Sequence, residues 1–238
     1  MSPFQVVRNG WSRFTPHFYP LVLGHLVAVF LLALAFSACF VPYLLVFGSV
    51  WFGYAAMALQ AARSKPVSLQ DLFSGFSEGW FLNAMVIGVI FNAIPIAVQL
   101  VVLIPLDFMP SSTIGINNPF EQSAEDWQRL IVYFAVMSTI GTVAQIGTVV
   151  FLSPAMFILH DRKCAAMDAV VESMKSVWRD RKWWSKLWGW LGLIHLFGLF
   201  TCGLAWIVIH PFMAVTLAEA YEVKIRRRRA AGPPPIPR

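Results

Sequence analysis

Charge is scarce in this chain: 13% of its 238 residues are Asp, Glu, Lys or Arg, about half the usage of soluble domains. Between Phe18 and Ala62 there is none. A water-soluble core could not hide so much apolar surface, so an ordinary soluble domain is excluded. Cysteine is also rare: Cys39, Cys164 and Cys202 lack metal-motif spacing and are too few for a disulfide framework. Cys39 and Cys202 fall toward the outer ends of the expected helices, where an oxidising compartment could join them, whereas Cys164 is expected to stay a thiol inside. No Asp or Glu falls at the centre of an apolar run, which argues against a pump built on buried carboxylates. Paired carboxylates, a nucleophile with a nearby base and a metal set are all missing, so no catalytic, cofactor-binding or metal residue is assigned and no enzyme is expected.

What the chain has in quantity is oil: 58% hydrophobic residues and a mean hydropathy of +0.66. Runs of about 20 apolar residues suffice to cross a hydrocarbon layer of about 30 Å at about 1.5 Å per residue. The run from Phe18 to Ala62 is too long for one crossing, and Pro42 disfavours a continuous helix. It divides into helices at 18–40 and 42–62. A third is expected at 80–104 and a fourth at 127–159. The run 187–221 is read as a third hairpin that turns at Thr201, Cys202 and Gly203. Arg8 and Arg13 before Ala33 and Ala35 resemble a secretory signal, but the apolar run is too long and simply continues, so the first span is read as uncleaved.

Six helices with the N-terminus inside put 17 of the 18 lysines and arginines on one face: Arg8 and Arg13, then Arg63 and Lys65, then seven from Arg162 to Lys186, then six from Lys224 onward. Only Arg129 falls outside, beside the acidic segment 107–126. That bias is what short cytoplasmic loops carry. Trp11, Tyr19, Trp80, Trp127, Trp183, Trp184 and Tyr221 cluster near the expected helix ends, as an interfacial aromatic belt requires. The expectation is an all-α membrane protein with about six spans in three hairpins and both termini cytoplasmic. Residues 1–17 form an inner N-terminal segment, 18–223 the membrane domain and 224–238 a basic, proline-rich tail.

Two inner connections read as amphipathic helices. Ser68 and Asp71 make a capping-box start before Leu69, Leu72, Phe73 and Phe76. In the other, Asp168, Glu172, Lys175 and Arg179 oppose Met167, Val170, Val171, Met174 and Trp178. Helices three and four are the most polar pair. Asn92 and Gln99 on one, with Ser138, Thr142 and Gln145 on the other, suit interhelical hydrogen bonds or, alternatively, a polar substrate groove. His25, His195 and His210 have no second ligand at metal spacing on their own helices, so packing or interhelical hydrogen bonding is their reading. His17 and His160 are read as interfacial, and Glu219 as a carboxylate reaching the inner interface. Lys224, Arg226, Arg227, Arg228 and Arg229 suit contacts with anionic lipid. No soluble nucleic-acid reader accompanies them, so nucleic acid is not an expected partner. The expected partners are membrane lipids, with other membrane proteins or a second copy of the chain beside them.

The stretch GYAAMALQAARSKPVSLQDLFSGF (53–76), the segment 166–176 and the ending GLAWIVIHPFMAVTLAEAY (203–221) are similar to a group of uncharacterised bacterial integral membrane proteins. These in turn resemble the membrane domain attached to some glycerophosphodiester phosphodiesterases. In that pattern a Gly-x-Gly opens the last helix, where this chain has Thr201, Cys202 and Gly203. The resemblance implies a six-span bacterial inner-membrane protein and brings no active site. The role expected is structural, accessory or lipid-interacting, with small-molecule or lipid transport as the alternative.

Overall fold

The computed structural model describes residues 1–107, 124–201 and 203–227, and among them there is no strand. The chain divides into two compact units, Met1–Val89 together with the chain from Val150 onward, and Ile90–Val149. Among the described residues four helical segments are long and apolar enough to cross a membrane: Pro3–Ala38, Phe40–Ala62, Phe81–Val101 and Ala135–Arg162.

The N-terminal segment, left without structure by the sequence reading, forms α1 (Pro3–Phe14). Ser2 and Gln5 cap it reciprocally: the Gln5 N–H donates to Ser2 Oγ at 3.2 Å and the Ser2 N–H to Gln5 Oε1 at 2.8 Å. Val6, Gly10 and Phe14 are buried, while Phe4 and Trp11 are about half exposed at 54% and 52%. A 3₁₀ turn (Thr15–His17) leads into α2 (Phe18–Ala38).

The break before α3 (Phe40–Ala62) falls at Cys39 rather than Val41. Pro42 sits in the first turn of α3, where the missing N–H costs nothing because that turn's donors have no helical partner. The two helices then pair in reverse order. Phe36 lies against Tyr43 and His25 against Tyr54, and the Tyr54 hydroxyl donates to the Leu21 carbonyl at 3.4 Å.

The connection after α3 is capped as its sequence implies. The Ser68 N–H donates to Asp71 Oδ2 at 2.9 Å and the Gln70 N–H to Ser68 Oγ at 3.2 Å. It winds as a 3₁₀ helix over Leu69–Phe76 instead of an α-helix. With three residues per turn, side chains three apart align, so Leu72 and Gly75 are buried while Phe73 and Phe76 remain exposed. The fit against α3 is backbone to backbone. A Cβ on Gly53 would overlap the Leu72 carbonyl, and one on Gly75 the Ser49 carbonyl. Small residues allow this approach where the hydrophobic effect supplies no force between helices.

The next helices are α4 (Phe81–Asp107) and α5 (Ala124–Arg162), both longer than the sequence reading expected. After them comes α6 (Ala166–Arg179). Its buried line is Ala166, Ala169, Val170, Ser173, Ser176 and Val177, with Ser173 Oγ donating to the Phe151 carbonyl at 2.6 Å. Met167, Val171, Met174 and Trp178 are exposed. The large apolar stripe read from the sequence therefore turns outward, and only Val170 of that set joins the buried face. Small side chains let α6 approach α5 closely.

The last apolar run splits into α7 (Arg181–Leu199) and α8 (Trp206–Tyr221). Gly203, at φ +84°, supplies the left-handed residue between them. The Thr201 hydroxyl donates to the Gly198 carbonyl at 2.8 Å and accepts from the Ala205 N–H at 3.1 Å. With 16 residues, α8 is shorter than a full crossing needs, and a π-helical turn (Glu222–Arg226) extends it. α8 packs against α1, α2, α3 and α7, so its residues from Ile209 to Tyr221 are nearly all buried.

Candidate functional site

Ionisable groups concentrate at two levels of the larger unit. The first is a layer of ion pairs where α3, α5 and α8 end. The Arg63 guanidinium donates to Asp161 Oδ1 at 2.6 Å and to Glu222 Oε1 at 2.5 Å. Arg226 pairs with Glu222 at 2.9 Å and approaches Asp161 at 3.6 Å. The Tyr221 hydroxyl donates to Asp161 Oδ2 at 2.8 Å. Two cations thus face two carboxylates, giving a balanced network in which Arg63, Asp161 and Glu222 side chains are 18%, 19% and 12% exposed. Arg162 pairs with Glu172 of α6, and Arg13 of α1 with Ser64. Trp183 Nε1 donates to the Met1 carbonyl at 3.1 Å, and Lys224 Nζ stands 4.6 Å above the Trp183 ring.

This layer revises several single-residue expectations. Tyr221 and Trp184 are core residues at 0% and 1% exposure, not members of an interfacial belt. Glu219 is 7% exposed and does not reach solvent as expected. Phe212, Thr216 and Glu219 share one side of α8, and α1 covers that side through Phe14 against Phe212 and Gly10 against Thr216. His160 is held between Trp80 and Phe52, at ring centroid separations of 6.4 and 5.6 Å, with Nδ1 buried and unpartnered.

The second level is an array of three histidines from three helices. His210 of α8 lies 5.2 Å from His25 of α2, ring centre to ring centre and nearly perpendicular at 80°. It lies 5.3 Å from His195 of α7, nearly parallel at 19°. Trp206 stacks on His195 at 5.0 Å and 14°, and its indole N–H donates to the His195 carbonyl at 3.1 Å. Tyr54 of α3 closes the other end, 5.8 Å from His25. Spacing along the chain could not reveal this meeting. The sole signal in the sequence was that each imidazole lies inside an apolar run.

The residues singled out on helices three and four fall in the smaller unit. Asn92 and Gln99 are half-buried on α4, and Ser138, Thr142 and Gln145 are exposed on α5. The Gln99 amide packs on Gly141, where it fills the place of a Cβ. Of the tail residues, Lys224 and Arg226 take part in the contacts above and Arg227 is exposed, while Arg228 and Arg229 lie outside the described residues. Cys39 and Cys164 are free thiols, and Cys202 lies outside the described residues.

Beside the array's outer side, Phe4, Val7, Arg8, Trp11, Ile194, Val208, Ile209 and Phe212 line an open groove of about 420 Å³. Only Arg8 in that lining is charged. Among the described residues no cluster of three or more His, Cys, Asp or Glu is arranged to hold a metal ion.

Among the described residues the protein is helical without strands, and four of its helices have the length and apolar character of membrane spans. Compared with family models, characterised proteins and solved structures, the chain matches none. Function therefore has to be argued from its own residues.

Proposed function

We infer that this chain is a six-span protein of a bacterial inner membrane, with both termini in the cytoplasm, that serves an accessory role and binds lipid on its basic face. The observation that carries this reading is the meeting, at one end of the larger unit, of groups from all four basic segments. Arg13, Arg63, Arg162, Lys224 and Arg226 all make their contacts there. A layer of this kind favours the leaflet where cationic residues are retained and anionic lipid is abundant. The groove beside Arg8 adds a place where an acyl chain can lie along α1 with its phosphate at the guanidinium.

Topology and lipid binding are tested separately. Reporter fusions placed after Lys65 and within residues 117–125 are expected to report opposite compartments, and agreement between them would end the six-span reading. In mass spectrometry of the protein released from mixed-lipid nanodiscs, anionic lipid should remain bound in preference to zwitterionic lipid. The preference should weaken when Arg227, Arg228 and Arg229 are changed to Gln, by about 1 kcal/mol per charge at low salt.

A second reading, small-molecule or lipid transport, draws on polar groups within apolar helices. Asn92 and Gln99 supply them in one unit, and the histidine array supplies them in the other. Flux into proteoliposomes that the double substitution N92L/Q99L abolishes without unfolding the protein would favour it.

A further inference from the structure

The histidine array sits far from the ion-pair layer. Tyr54 precedes Arg63 by nine residues and His210 precedes Tyr221 by eleven, which at about 1.5 Å per residue is about 14 and 16 Å. That is about half the thickness of a hydrocarbon layer. Ionisable side chains at such depth are rare and mark ion pathways or proton relays more often than packing alone. Here three of them meet without any sequence relation to one another.

We propose that His25, His210 and His195 form a proton-binding site within the membrane domain, one proton being shared by the three imidazoles with His210 as the central member. One proton enters from water and one N–H bond forms, giving one imidazolium beside two neutral rings. The surroundings suit a single cation. Trp206 presents its ring face to His195 and lies nearly parallel to His210 as well, 6.1 Å away at 15°, and an indole face attracts a cation. Each neutral imidazole keeps one nitrogen able to accept a hydrogen bond. A second proton would put two like charges about 5 Å apart at low dielectric, which opposes further uptake.

The ring contacts order the three residues. His210 touches both of the others, with His25 on one side and His195 on the other. Tyr54 faces the array from α3. From α1, Arg8 lines the groove beside Ile194 and Ile209, the chain neighbours of His195 and His210. This inference is independent of lipid binding, and it gives transport a coupling ion held by imidazoles rather than by carboxylates.

The test is imidazole ¹⁵N NMR of the full chain in lipid nanodiscs across a pH series. A shared proton requires that His25, His195 and His210 follow one common titration curve. The substitution H210F should separate the curves of His25 and His195. H25F should leave His195 and His210 on a common curve, because their contact survives. Three separate curves in the unaltered protein would overturn the proposal, as would a common curve for His25 and His195 that persists in H210F. Loss of the His195 and His210 common curve in H25F, with the tryptophan fluorescence of the folded protein retained, would also overturn it.

Discussion

Replacing Arg63 with Ala is expected to lower stability by about 2 to 3 kcal/mol, because one side chain satisfies carboxylates from two other helix ends. A fully buried pair that loses one partner costs about 3 to 5 kcal/mol and an exposed pair about 0 to 1. The exposures of 12 to 19% in this network place Arg63 between those limits. For a chain of this size the thermal midpoint should fall by about 5 to 10 °C, as read by tryptophan fluorescence in mild detergent. R226A should cost less than about 1 kcal/mol, since that side chain is 50% exposed and its loss leaves Arg63 on both carboxylates. Adding D161N to R63A should recover part of the loss, because Glu222 keeps Arg226 at 2.9 Å whereas Asp161 is left with a cation no nearer than 3.6 Å. An R63A midpoint within about 1 °C of the unaltered protein would show that the network adds nothing net.

The second large effect concerns the interface of α3 with the 3₁₀ helix. Gly53→Ala should destabilise by about 3 kcal/mol or more, because the added methyl meets the Leu72 backbone, which cannot move aside as a flexible side chain would. Gly189→Ala and Gly192→Ala are the matched controls, with nothing within 4 Å of the added Cβ. In a helix interior these should be neutral or stabilising by up to about 1 kcal/mol. The contrast is read in the same unfolding assay. Equal midpoints for G53A and G189A would mean that the close approach at Gly53 does not support the fold.

Both effects depend on rotation about helix axes, which separates what was legible in the residues from what was not. Gly203 marked the turn in the last run, since a glycine reaches positive φ without strain, whereas Pro42 pointed to a break at Val41 that the structure puts at Cys39, with Val41 inside α3. The cap at Ser68 was equally local. The face that α6 buries was not local. Met167, Val171, Met174 and Trp178 form the stronger hydrophobic stripe, yet the smaller Ala166, Ala169, Ser173 and Ser176 pack on the protein. The small side chains permit the close approach at which Ser173 reaches the Phe151 carbonyl, and the larger stripe is left exposed.

The residues alone therefore determined the helical class and the uneven placement of positive charge, and put the spans at about six, of which four among the described residues are long and apolar enough to cross a membrane. Each follows from local chemistry: an unpaired backbone cannot remain in oil, and cations resist crossing it. Tertiary structure alone decided that Arg63 joins Asp161 to Glu222, that Glu219 and Tyr221 are buried, and that His25, His195 and His210 meet. Hydropathy is nearly uniform around a helix that faces both lipid and protein, so it carries no record of which sides meet. Close approach at small residues and the pairing of scarce polar groups select them.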